Sequence, residues 1–248
     1  MSIDAFGNIY VADKGAPGIY KFGLHGDSLR AVIGFGKEHN QFDSPVDVDA
    51  SLTNSIAIAD RNNHRIEIYS KDLIWQATIA GHGAGSKIEF GYPQQVRAAQ
   101  AGNYFLIDGE NKRALSIQPS NGSQQVITIS GTESGAELNP LSLTLEENEF
   151  VAIADVNSRS LIVFNNAYLL QARTQYMHAH ESKLSASEKK IYAFDDRAQA
   201  IRIFDAANLG YQGSIALPPE ANHVVAFCVY KGAYYVLTRE KVIVCSKN

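Results

Sequence analysis

The sequence predicts an all-β fold: a six-bladed β-propeller of four-stranded blades, with a terminal blade that can be incomplete. Three observations predict it. Strand-like runs recur as "NIYVAD", "SIAIAD", "NYFLID", "FVAIAD" and "KIYAFD", ending at Asp13, Asp60, Asp108, Asp155 and Asp195, at steps of 47, 48, 47 and 40 residues. A second run follows each aspartate after a polar turn and places a large apolar residue nine positions on, at Phe22, Tyr69, Ile117, Phe164 and Phe204. Upstream, Pro45, Pro93 and Pro140 each stand 15 residues before their aspartate.

Taken in chain order, the first unit joins "NIYVAD" to "GIYKF" and the second joins "SIAIAD" to "RIEIY" before an outer strand in "QATIAG". The third pairs "NYFLID" with "RALSI" and closes with "QVITISG". The fourth and fifth pair "FVAIAD" with "SLIVF" and "KIYAFD" with "AIRIF". A sixth related run, "AYYVLT", ends 43 residues later at Thr238 and precedes "KVIVC". Runs of five or six residues rich in Val, Ile, Tyr and Phe, bounded by Gly, Asn, Asp and Ser, have strand length and strand composition. Four strands per 40–48 residues is blade spacing; a solenoid would show clearer terminal caps and shorter strands per turn. The 248 residues, 45% of them hydrophobic, form a single domain over 1–248 on this reading.

Ser2 corresponds to Asp49, so the chain begins inside an inner strand, and "KVIVCSKN" supplies only a third strand at the other end. The expectation is a start truncated from a longer protein, with a sheet edge that a partner strand can cover.

Lys and Arg number 22 against 26 Asp and Glu, a net charge of −4, which argues against nucleic acid as a partner. Cys228 and Cys245 are too few for a disulfide scaffold and too far apart for a zinc knuckle; they either pair or stay free. No signal peptide and no transmembrane run is visible, and with a truncated start the compartment stays open.

The motif of Gly, Phe and Pro followed by "GNIYVAD" or "SIAIADRNNHRIEIY" resembles the NHL-repeat family of β-propellers, strongest over residues 34–69 and weak beyond about 170. The resemblance implies a propeller. It leaves activity open, because the family includes protein-binding, RNA-binding and extracellular modules and related propellers include lyases and hydrolases.

The repeat changes how each polar cluster reads. Asp60 and Arg65 return as Asp108 and Arg113, and Asp155 has Arg159 one position earlier, so these pairs are structural turns in which a guanidinium fork closes the loop or clamps adjacent blades. His64 corresponds to Lys112, Arg159 and Gln199, which assigns it to the turn. His180 and His223 each stand 15 residues before their reference position, where earlier blades carry proline; with His178 they form a possible metal set. His39 in "GKEHNQF" and His82 in "GHGAG" lie on loops between blades and are candidate binding residues, neither with an acid at a diagnostic spacing. The irregular segment 169–190 departs most from the repeat, and Tyr176, His178, His180 and Lys183 within it are the expected partner-binding residues. No "G-x-S-x-G" elbow, P-loop lysine or EF-hand spacing is present. The expectation is a noncatalytic protein-interaction module that needs no cofactor. The alternative is a metal-supported lyase or hydrolase with its site near the central channel.

Overall fold

The computed structural model describes residues 1–52, 54–82, 87–128, 138–146, 150–175 and 183–245, without the side chain of Ala101. The chain is an all-β, six-bladed propeller; among the described residues five blades have four antiparallel strands and one has three. It divides into two compact units, Met1–Ile127 and Thr128–Asn248. No helix of the described residues is long and apolar enough to cross a membrane.

In the first unit, blade 1 comprises β1 (Ser2–Ile3), β2 (Ile9–Asp13), β3 (Gly18–Phe22) and β4 (Ser28–Ile33). Blade 2 comprises β5 (Pro45–Asp49), β6 (Ser55–Asp60), β7 (Arg65–Ser70) and β8 (Trp75–Ala80). Blade 3 comprises β9 (Pro93–Ala98), β10 (Tyr104–Asp108), β11 (Arg113–Gln118) and β12 (Ser123–Ile127). In the second unit, blade 4 comprises β13 (Pro140–Glu146), β14 (Phe150–Asp155), β15 (Ser160–Asn165) and β16 (Leu170–Gln175). Blade 5 comprises β17 (Leu184–Ser187), β18 (Lys190–Asp195), β19 (Ala200–Asp205) and β20 (Tyr211–Ala216); blade 6 comprises β21 (Ala226–Tyr230), β22 (Ala233–Leu237) and β23 (Val242–Cys245). Each blade is a meander with strands in chain order.

The repeated prolines and aspartates explain the register. Pro45 pairs with Asp60, Pro93 with Asp108 and Pro140 with Asp155, and the ladder shifts beside each of these pairs. Proline has no N–H to donate, so it is tolerated where the strand begins and the ladder is already irregular. The second and third strands pair in one register, each aspartate opposite the residue five positions on, which explains the constant nine-residue interval. The outer pair of strands shifts at Phe22, Tyr69, Phe164 and Phe204 but not at Ile117.

In blades 2 to 5 the middle strands are largely buried on both faces, and alternation sends successive side chains to opposite seams. In β6, Ile56 and Ile58 join Tyr10, Ile19, Phe42 and Tyr69 in the core between blades 1 and 2. Ala57 and Ala59 point the other way, against Val96, Leu106 and Leu115 of blade 3 and Ile88 and Phe90 of the connecting loop. In the second unit, Ala152 and Ala154 of β14 meet Leu184, Ile191 and Phe204 of blade 5, while Tyr192 and Phe194 of β18 pack towards Phe227 and Val236 of blade 6. Each fully buried Ile or Leu contributes about 1.5–3 kcal/mol relative to exposure, so the seams between blades carry the stability of each unit.

Inner strands of neighbouring blades are joined by side chains. The N–H of Ala50 donates to Ser2 Oγ at 3.0 Å, that of Ala98 to Asp49 Oδ2 at 2.7 Å, and that of Val96 to Asp47 Oδ2 at 3.0 Å. The second unit repeats the device: Leu184 N–H donates to Ser142 Oγ at 3.1 Å and Val229 N–H to Ser185 Oγ at 3.3 Å. A short oxygen-bearing side chain thus satisfies an amide that no ladder reaches. Cys228 and Cys245 are not joined in a disulfide.

Candidate metal centre

In blades 1 to 5 the turn between the second and third strands is organised by the aspartate that ends the second strand; blade 6 has Thr238 at that place. Asp60 accepts from Asp43 N–H at 2.8 Å, Asn63 Nδ2 at 2.7 Å and Arg65 Nε at 3.0 Å. Asp108 accepts from Gly91 N–H at 3.1 Å, Asn111 Nδ2 at 2.8 Å and Arg113 Nε at 2.9 Å. Blade 4 differs: Asp155 accepts from the Ser158 hydroxyl at 2.6 Å, while Arg159 is exposed and occupies the left-handed position of the turn, φ 50°. The residue in the place of Arg65 and Arg113 is Ser160, whose Oγ accepts from Arg173 Nε at 3.1 Å. Among the described residues Arg159 therefore makes no ion pair with Asp155, because the one-residue offset turns it out to solvent. Burial raises the pKa of Asp60 against the lowering effect of Asn63, the Asp43 amide and Arg65. It does the same at Glu67, whose Oε2 accepts from Trp75 Nε1 and Thr78 Oγ1, both at 2.8 Å.

His64, Lys112, Arg159 and Gln199 all hold the left-handed position, with φ of 48–52°. In blade 2 that conformation aims an imidazole across the seam towards blade 3. His64, His82 and Glu110 bring one ligand atom each within 4.8 Å of one another. The Nε2 of His82 is 3.5 Å from Glu110 Oε2, and the two histidine ring centres are 5.0 Å apart.

The backbone beneath is closely wired. Gly81 N–H donates to His64 O at 2.8 Å, Phe90 N–H to Gly81 O at 3.1 Å and Glu110 N–H to Gly91 O at 3.1 Å. Two glycines permit this approach: a Cβ on Gly81 would lie 2.2 Å from Phe90 O, and one on Gly91 would lie 1.6 Å from Glu110 Oε2. The Tyr92 ring packs on His64 at 4.3 Å, with its amide 3.3 Å from Nδ1, and the Arg61 guanidinium sits 5.0 Å from the Tyr92 ring centre.

Two imidazoles and a carboxylate form a donor set suited to zinc and neighbouring divalent metals, and three protein ligands leave a position open at such an ion. In the arrangement seen, Nδ1 of His64 accepts a hydrogen bond, which leaves the proton of a neutral ring on Nε2. Loading a metal on this imidazole exchanges the Tyr92 bond or turns the ring over.

The other residues singled out by sequence lie elsewhere. His39 is exposed and stacks on Trp75 at 4.0 Å; His223 is exposed, with φ 52°, in the loop before β21. Lys183 is half-buried just before β17, and its carbonyl accepts from Phe194 N–H at 3.0 Å. Tyr176, His178 and His180 lie outside the described residues. Sequence reading included His82 without an acid, assigned His64 to the turn and did not single out Glu110 as a ligand. No fixed interval joins these three; only the apposition of blades 2 and 3 does.

No protein-family model matches the chain, and no curated protein matches it in sequence. Solved structures match over most of its length. Virginiamycin B lyase from Staphylococcus aureus is similar at 11% identity and a TM-score of 0.66, covering 95% of this chain and 75% of the lyase. The WD40 repeats of RRP9 match at 11% identity and 0.65, covering 97% and 74%; a structure of the nidogen/laminin complex matches at 14% and 0.63, covering 88% and 80%. The likeness is to propellers of several kinds and shows the fold.

Proposed function

We propose that this propeller is a metal-supported lyase or hydrolase whose metal centre is His64, His82 and Glu110. One observation carries the reading: three donors from separate loops of two blades converge within 4.8 Å on backbone wired by the glycines at 81 and 91. A divalent ion held there supplies Lewis acidity to a substrate oxygen. The protein's part is to fix the donors and, through Tyr92 and Arg61, to wall one side of the site. Similarity to virginiamycin B lyase supports a propeller as a scaffold for such chemistry. The turn "ADRNNHRIEIY" makes blade 2 an NHL-type blade on this reading.

The test is zinc titration calorimetry on metal-stripped protein beside H82A and E110Q, followed by incubation of loaded protein with virginiamycin B and with p-nitrophenyl acetate. Uptake near one zinc per chain that both variants lose, with turnover of either probe, supports the reading. Elimination leaves the summed product mass unchanged and hydrolysis adds one water, which separates the two chemistries. Absence of zinc uptake by the wild type rejects the centre. A second reading, a protein-interaction module, is supported by Leu29, Ile33 and Phe35, which are 49%, 60% and 72% exposed along and just after the outer strand of blade 1.

A further inference from the structure

Arg61 opens the short 3-10 turn Arg61–Asn63 that leads into His64. Its guanidinium lies over the Tyr92 ring, and the same ring packs against His64, so cation and imidazole are separated by no more than two ring contacts laid end to end. Arg65, Arg97, Arg113 and Arg202 each pair with a carboxylate; among the described residues Arg61 pairs with none. Its backbone N–H donates to Ser44 O at 3.0 Å, and among the described residues the one hydrogen bond from its guanidinium, at Nη1, goes to the side-chain oxygen of its neighbour Asn62 at 3.0 Å.

A guanidinium lying on an aromatic face retains in-plane N–H donors at its edge, in the fork geometry that matches a carboxylate. The charge count agrees. A divalent ion held by two neutral imidazoles and Glu110 retains one positive charge, Arg61 adds a second, and the exposed Lys112 on the neighbouring turn adds to the field. We infer that the ligand of this centre is a small carboxylic acid whose carboxylate is clasped by Arg61. The inference rests on the metal-centre reading and names its substrate class.

The probes are benzoate and its neutral isostere benzamide, titrated by calorimetry into zinc-loaded wild type, R61Q and R61K, with zinc uptake measured for each protein first. Benzoate should bind about tenfold or more tightly than benzamide, as expected for charge-assisted hydrogen bonds. R61Q should take up zinc and lose that preference; R61K, keeping the charge without the fork, should recover part of it. Zinc uptake by wild type with equal binding of the two probes, or an undiminished preference in R61Q, overturns the inference and leaves the metal centre standing. No zinc uptake by wild type overturns both.

Discussion

Nε2 of His82 lies 3.5 Å from Oε2 of Glu110, joining the loop that leaves blade 2 to the turn of blade 3. Both side chains are about half exposed, at 53% and 45%, so their charge interaction is weak in itself. The pair matters for its position, beside a third donor and above a glycine-built backbone.

Gly91 offers a way to perturb that position without touching a donor. In G91A the new methyl would occupy the place of the Glu110 carboxylate, the far end of a movable side chain, so the acid should swing away while the blade persists. Zinc affinity should fall as far as in E110Q, by about tenfold or more. Thermal melting with zinc calorimetry checks this; unchanged zinc affinity in a folded G91A protein would remove Glu110 from the ligand set.

Ser142 tests the bridges between inner strands. S142A leaves the N–H of Leu184, a residue only 3% exposed, without its acceptor. A buried donor stripped of its partner costs about 1–3 kcal/mol. Urea unfolding of S142A should show a loss in that range and S142T a much smaller one, since the threonine hydroxyl can still accept.

Glu67 and Asp60 share one guanidinium: Arg65 Nε is 3.0 Å from Asp60 Oδ2 and 2.9 Å from Glu67 Oε1. Both acids have raised pKa values, chiefly through burial. A carboxyl whose pKa is higher folded than unfolded holds its proton more tightly in the native state. Its contribution is therefore fully present below the unfolded value and is lost as pH rises through the folded value. Stability of the wild type should decline as pH climbs from the ordinary carboxylate range through these raised values. E67Q retains an acceptor for Trp75 and Thr78 and should flatten the decline. Denaturant midpoints from pH 4 to 8 measure it, and an equally steep decline in E67Q would refute the assignment to Glu67.

How far this was legible in the sequence follows from the range of each interaction. The aspartate-to-apolar interval and the proline spacing are properties of single hairpins, set by ladder register within tens of residues, so the blades and their strands could be read directly. The Asp60–Arg65 and Asp108–Arg113 spacing was visible for the same reason. Arg159 was read by analogy into a role that Ser158 and Ser160 occupy, because a one-residue shift in a tight turn exchanges an inward side chain for an outward one. His64 was assigned to the turn, and its closeness to His82 and Glu110 was not legible there. Comparison with Lys112, Arg159 and Gln199 hid it, since a repeat makes any residue unlike its counterparts look incidental, whereas departure from the consensus is where a repeat protein can place chemistry. Glu110 has meaning only opposite blade 2, which no single-blade pattern contains.

The oxygen that the inner strands β1, β5, β13 and β17 lend to the next blade gives each unit a grammar of order. Blade 1 offers blade 2 a neutral hydroxyl from Ser2, whereas blade 2 offers blade 3 the carboxylates of Asp47 and Asp49, the former countered by Arg97 at 2.6 Å. These junctions are not interchangeable. Moving blade 3 next to blade 1 would leave Arg97 without Asp47, and duplicating blade 2 would set its buried Asp47 beside a second Asp49 at the position of Arg97. The blades share a common pattern, but their sequence along the chain is inscribed at the seams, and growth by copying would require new junctions as well as new strands.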